Sequence, residues 1–205
     1  MKQIILATVV FCLFFVTVGH AQISHYLGLE TGFFFPSGSI NNYENNYKFQ
    51  TGTEMGLKYI RYFNENLGVI LRFWSVNEFK SDEKNFDYGG NSGKAHYEIA
   101  GLGLGLGLAL KFSVNDRVSF IASGAVLNYN TYIETFISKG YQAERSSDSG
   151  VTIGYCADVG LRFHLLNWLA LEAIFKYTIN EPYISGEKID MGGMSALLSL
   201  GLTFD

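Results

Sequence analysis

Charge is scarce in this chain. Asp, Glu, Lys and Arg make up 17% of its 205 residues, where a soluble protein ordinarily draws on about a quarter. Basic excess is missing as well: the net charge is -4 and the pI near 5.6. That leaves no electrostatic footprint for a nucleic acid. With only 2 Cys, a disulfide scaffold and a four-cysteine zinc site are both excluded. His25, His96 and His164 fall in separate segments with no acidic cluster at ligand spacing, so neither a metal nor another cofactor is expected. Past residue 21, no apolar run reaches the roughly 18 residues that a membrane-spanning helix requires.

The N-terminus is the one place with a long apolar run. Met1-Lys2 supplies a positive start, residues 4–18 are almost unbroken in hydrophobicity, and Gly19-His20-Ala21 puts small residues at the -3 and -1 positions of a cleavage site. This reads as a secretory signal peptide over 1–21, cut before Gln22, followed by a single domain over 22–205. Cys12 leaves with the leader. Cys156 stays, as a small apolar filler.

In the remainder, the dominant signal is alternation with a period of two. Between 101 and 111, Gly101, Gly103, Gly105, Gly107, Ala109 and Lys111 share one face. Leu102, Leu104, Leu106, Leu108 and Leu110 share the other. Other segments repeat the pattern, for example Leu27, Leu29, Phe33 and Phe35 against Gly28, Glu30 and Gly32. Near the end, Met194, Ala196, Leu198, Leu200, Leu202 and Phe204 oppose Ser195, Ser199, Gly201 and Thr203. Eight strands are expected. The fifth, over 118–129, is rich in small residues and its facing is open. Three connections are short: Asn64-Glu65-Asn66, Val114-Asn115-Asp116-Arg117, and the stretch around 165–167. The other four are long and polar, at about 36–49, 77–97, 130–148 and 178–190.

Short turns alternating with long loops are the pattern of an up-and-down barrel in an outer membrane. A soluble eight-stranded barrel turns its apolar face inward and needs a soluble exterior, and a wall of glycines is a poor one. Aromatics also gather near strand ends: Phe63, Phe112, Phe163, Trp168 and Phe204 on the turn side, Phe35, Phe73, Tyr129 and Tyr177 toward the loops. Two such girdles mark membrane interfaces. The fold class is therefore all-β: an eight-stranded antiparallel up-and-down transmembrane β-barrel, in the outer membrane of a double-membraned bacterium.

The chain resembles the small OmpA/OmpX-type outer-membrane barrels and, among them, the PorT-like β-barrel proteins. The likeness rests on the cleaved leader, the Leu27-Gly28-Leu29-Glu30-Thr31-Gly32 opening, and the Tyr62-Phe63-Asn64-Glu65-Asn66-Leu67-Gly68 turn. It rests also on the glycine–leucine strand and the terminal alternation ending in Phe204. The resemblance implies insertion by the outer-membrane assembly machinery, which reads an amphipathic last strand with an aromatic at its end. Here that aromatic is penultimate, before Asp205. A PorT-like part in secretion is implied at the family level only.

The candidate site is the barrel interior. Glu30, Glu54, Asp158 and Glu172 fall on the inward face with Lys58, Arg72, Lys111, Arg162 and Lys176. Charges confined in a narrow barrel must be paired, because an isolated one costs several kcal/mol to bury. Eight strands enclose room for side chains and little more, so a charge-paired, closed lumen is expected. A small-solute or ion pore is the alternative. A lipid A-modifying enzyme is a further one, but it needs a serine held by a histidine and a carboxylate. His96 with Glu98 is the only fragment of that arrangement, and the chain is read as a non-enzyme. The expected partners are outer-membrane lipid and lipopolysaccharide, the assembly machinery, and a protein met through the external loops.

Overall fold

The computed structural model describes residues 24–42, 45–88, 91–139, 142–184 and 187–204. The expected signal peptide and Cys12 lie outside the described residues. The strands run in order β1 (Ser24–Pro36), β2 (Ser39–Asn42), β3 (Asn45–Lys48), β4 (Gly52–Tyr62), β5 (Leu67–Lys80), β6 (Lys84–Tyr88) and β7 (Asn91–Asn115). They continue as β8 (Val118–Lys139), β9 (Gln142–Leu166), β10 (Leu169–Ile179), β11 (Tyr183–Ile184), β12 (Glu187–Lys188) and β13 (Gly193–Phe204). The ring is β5-β4-β1-β13-β10-β9-β8-β7, and a β5–β7 ladder closes it. Every neighbour in it is antiparallel. β2–β3 and β11–β12 are small hairpins beyond one end, and β6 lies beside the far end of β7.

A closed ring suits an apolar exterior, because hydrocarbon offers nothing to an unpaired N–H or C=O. The exterior here is apolar: Leu104 is 52% exposed, Leu108 58% and Ile153 70%. Two of the tight turns use the same device. Asn64 Oδ1 accepts from the amides of Asn66 and Leu67 at 2.9 and 2.8 Å, and Asn115 Oδ1 from those of Arg117 and Val118, both at 2.9 Å. Each asparagine thereby supplies acceptors where the ladder stops.

The glycine wall of β7 is bare because its neighbours are bulky. A Cβ on Gly103 would stand 2.5 Å from the Trp74 indole, and one on Gly105 2.9 Å from Leu127. This fit also settles the facing of β8. Ser119, Ile121, Ser123, Leu127 and Tyr129 point inward, while Phe120 and Val126 meet lipid. Tyr129 therefore does not belong to the loop-side girdle where the sequence placed it. It is buried beside Trp74, with ring centroids 6.0 Å apart.

All four expected loops contain strand, β2–β3 in the first and β11–β12 in the last, and the other two extend the wall of the ring. Much of 77–97 belongs to β5, β6 and β7, and 130–148 is a β8–β9 hairpin whose ladder runs to Lys139↔Gln142. At 25, 22 and 25 residues, β7, β8 and β9 are twice the length a membrane requires. Their outer halves carry no continuous apolar stripe because they stand above the lipid. Backbone ladders hold them, and ladders leave little mark on composition.

Candidate functional site

The interior is built in three layers. Strand alternation sends one side chain in two inward, and the ring places inward residues of opposite strands within reach. In the central layer, Glu30, Glu54, Lys58, Arg72, Asp158, Arg162, Glu172 and Lys176 are each at most 4% exposed. Arg72 reaches Asp158 at 2.7 Å and Glu30 at 3.3 Å. Lys58 lies 3.0 Å from Glu30 and 2.8 Å from Glu172, and Arg162 holds Glu172 through Nε and Nη2 at 3.0 and 2.9 Å. Six charges thus form one unbroken alternating chain, and Lys176 with Glu54 makes a separate pair. Hydroxyls complete the carboxylates: Ser195 donates to Glu54 at 2.6 Å and Ser123 to Asp158 at 2.5 Å. Four acids face four bases, so the buried layer is neutral overall. That is the condition under which ions survive desolvation.

Lys111 stands apart from those eight. It is half-buried toward the turn side, with its ammonium 4.8 Å from the centroid of the Tyr62 ring. Below the charges, Tyr26, Ile60, Tyr62, Ile70, Ala109 and Ala170 form a turn-side apolar layer. Tyr26 joins the two: the Arg162 guanidinium lies 3.5 Å from its ring centroid, and its hydroxyl is 3.0 Å from Ser199 Oγ. A cation over an aromatic face gains a favourable contact without a counter-charge.

Above the charges sits an apolar cluster that sequence reasoning missed. Trp74, Val76, Tyr97, Ile99, Leu127 and Tyr129 from the wall pack with Ile40 and Tyr47 of the β2–β3 hairpin, Phe86 of β6, and Ile184, Ile189 and Met191. The connections fold inward over the mouth. Main-chain bonds hold them there: Ser37 N to Gly192 O at 2.9 Å, Asp82 N to Lys48 O at 3.0 Å, and Met191 N to Asn180 O at 2.8 Å. Only the wall half of this layer left a signal in the sequence. Ile70, Trp74 and Val76 share the parity of Arg72, so the inward face of β5 is itself apolar on either side of the arginine.

Other predicted residues are dispersed. Cys156 is buried, with its sulfur 4.0 Å from Arg72 Nη1. His25 stacks on Phe204 with centroids 5.2 Å apart and bonds the Tyr59 hydroxyl at 2.8 Å. His96 is 3.8 Å from Glu98 and stacks on Phe136. Among the described residues, the serine hydroxyls that bond to side chains serve Asn77, Tyr26, Asp158 and Glu54.

No family model matches the chain. No curated protein matches it either. Solved structures do. OprG from Pseudomonas aeruginosa is 12% identical, over 91% of this chain and 98% of its own, with a TM-score of 0.58. A major outer membrane protein from Thermus thermophilus is 12% identical, over 89% of this chain and 100% of its own, with a TM-score of 0.54. Ail of Yersinia pestis is 15% identical, over 89% and 97%, with a TM-score of 0.48. At such identities the likeness is one of fold. With its apolar belt, its closed ring and this fold, the chain is an integral β-barrel of the outer membrane.

Proposed function

We propose that the protein is a non-enzymatic outer-membrane barrel with a sealed lumen, acting as a structural or surface-interaction protein through its external sheet. One observation carries this reading: the interior is occupied from end to end by paired charges between two apolar layers. A conducting pore needs a continuous polar path, and selectivity comes from exposed charge along it. The external sheet supplies the interacting surface. Among the described residues, the β9–β10 ladder ends at Tyr155↔Ile179, and over 142–147 the ladder of β9 is with β8. An open edge of that kind accepts an extended chain through main-chain hydrogen bonds. A PorT-like secretion role is a finer form of the same proposal. Export by way of a leader over 1–21 and insertion by the assembly machinery belong to it as well.

Conductance tests it. Reconstituted in planar bilayers, the wild-type protein is expected to show no steady current. Glu172→Ala, which removes an anion from between Lys58 and Arg162, should admit brief openings. A large, stable, ion-selective current in wild type would make the small-solute pore the better reading.

A further inference from the structure

Gly124 faces lipid from β8, and nothing described inside the barrel requires it to lack a side chain. A Cβ there would stand 3.8 Å from its nearest neighbour across the ladder, the Cys156 carbonyl oxygen. On Gly105, Gly107 and Gly160 a Cβ would come within 2.9, 1.9 and 2.9 Å of a neighbour. A glycine inside a strand weakens it, and one without a bulge marks a place where another backbone comes close. The ladders on both sides of Gly124 run unbroken, and Ala157 is its partner on β9. With Ala122 one pleat below, the wall has a hollow there.

Beside the hollow stands a ridge. Phe175 on β10 is 69% exposed, and Ile153 and Val151 on β9 are 70% and 67%. Apart from Val114 at a turn, no other described large apolar side chain is as exposed.

Hollow and ridge lie at one height. A ladder row that leaves the middle of β1 at Leu29 passes Leu200, Leu171 and Phe163 and meets Val118 at the turn end of β8. Rows descend in that direction and climb in the reverse. With strands tilted about 40°, each step from β8 toward β10 gains about 3 Å, and each residue along a strand spans about 2.5 Å of height. Tyr177 shares a row with Ala157 and Gly124, so it stands about 6 Å above Gly124, and Phe175, two residues lower, stands level with Gly124. The same drift lifts Val151 about 9 Å above Ser75, three steps away through Leu102 and Asn130. The outward face of β5 turns polar at Ser75 and Asn77, and that of β4 at Thr53. The apolar wall at Val151, with Tyr132 beside it at 53% exposure, therefore rises above the lipid edge set on the far side.

We propose that the outward face of β8, β9 and β10 is the interface of a homodimer within the membrane, its occupant a second copy of this chain. Two copies inserted the same way are related by a twofold axis along the membrane normal. Such an axis preserves height and, placed at β9, sets the β10 of each copy against the β8 of the other. Phe175 of one copy then meets Gly124 of the other at equal height, and the reverse contact forms with it. The raised edges at Val151 and Tyr132 also coincide, and they cover each other above the level that acyl chains reach. The outward side chains of the three strands present roughly 1,000 Å² of apolar surface, against about 800 Å² per partner in a standard stable interface. Small residues at the hollow let the two walls approach closely, which is what favours association in lipid. The inference goes beyond the sealed-lumen reading: it rests on the outer-membrane placement of the barrel and holds whether or not the lumen conducts.

The test uses the full folded protein in vesicles of outer-membrane lipid at a series of protein-to-lipid ratios. A photo-crosslinking side chain at Val159, beside the axis, should give a band of twice the mass; one at Leu57, on the opposite wall, should not. Phe175→Ala and Gly124→Trp should each weaken dimerisation at least about tenfold, as loss of an aromatic anchor or filling of its socket does. Phe73→Ala, which also faces lipid but on β5, should leave it unchanged. Retention of the gel shift on boiling confirms that each variant is folded; should Gly124→Trp not fold, Gly124→Leu serves in its place with the same expectation. Monomers at every ratio, equal crosslinking from Val159 and Leu57, or folded Phe175 and Gly124 variants that dimerise as wild type does would each overturn the proposal.

Discussion

Glu172 is the residue on which the interior turns. Its two oxygens serve Lys58 and Arg162 from different strands, and it is fully buried. Glu172→Ala leaves two desolvated cations short of an anion, and breaking a buried pair in this way costs about 3–5 kcal/mol. Urea unfolding in lipid vesicles, followed by gel mobility, should register that loss. Glu172→Gln keeps the acceptor and the volume and should lose less. Lys58 still has Glu30 at 3.0 Å and Arg162 still has the Tyr62 hydroxyl at 3.3 Å, so the barrel should survive both changes. All nine charges of the expected set were legible as inward from parity alone. What parity could not say is that eight of them close their pairs among themselves while Lys111 rests over Tyr62. That division depends on which strands meet across the lumen.

At the scale of an element, β7 is the clearest case of a strand with two solvents. Leu104 points to lipid and Gly103 to the interior. Leu104→Arg should cost roughly 2–4 kcal/mol near the membrane midplane, measured by the same unfolding assay. On the other face Gly103→Val should be at least as damaging, since its Cβ meets a rigid indole at 2.5 Å, whereas Gly105→Ala meets the end of the flexible Leu127 side chain at 2.9 Å and should be tolerated. An arginine tolerated at 104 would invert the face assignment. The same strand shows where periodicity loses its voice. Below Gly101 in the chain, β7 continues as far back as Asn91, but with His96, Glu98 and Lys94 on its outward face the apolar stripe is gone. A reading tuned to hydrophobic alternation therefore ends the strand where the lipid ends.

For the whole molecule, closure is a long-range event. Tyr26 and Ser199, joined by a hydrogen bond, are 173 residues apart, and the first strand pairs the last along nearly its full length. Topologies of such high contact order fold slowly, and the seam between β1 and β13 is the part that local sequence helps least. The external hairpin stands outside that problem. Replacing 134–147 with a short turn should leave a barrel that still migrates differently before and after boiling, because ring, charge layer and lower apolar layer are all retained. Loss of that shift would show that the extension belongs to the folding unit of the barrel.

The architecture was readable because one constraint acts on every strand at once: each must show lipid one face and the lumen the other. Alternation at Leu102–Leu110, or at Leu198, Leu200 and Leu202, reports that constraint residue by residue without reference to the rest of the chain. Tyr129 was misread because its neighbours on β8 are small, so parity had no contrast to work with. Only the register against Gly101, Gly103 and Trp74 turns it inward. The apolar cap was invisible for a related reason. Ile40, Phe86, Ile184 and Met191 lie in short segments with no period of their own, and they become a layer only when the connections fold back over the mouth. Burial in a lipid belt is a property of single positions and is written in their order along the chain. Burial by a partner from another strand or loop is a property of pairs, and only the closed ring decides which pairs exist.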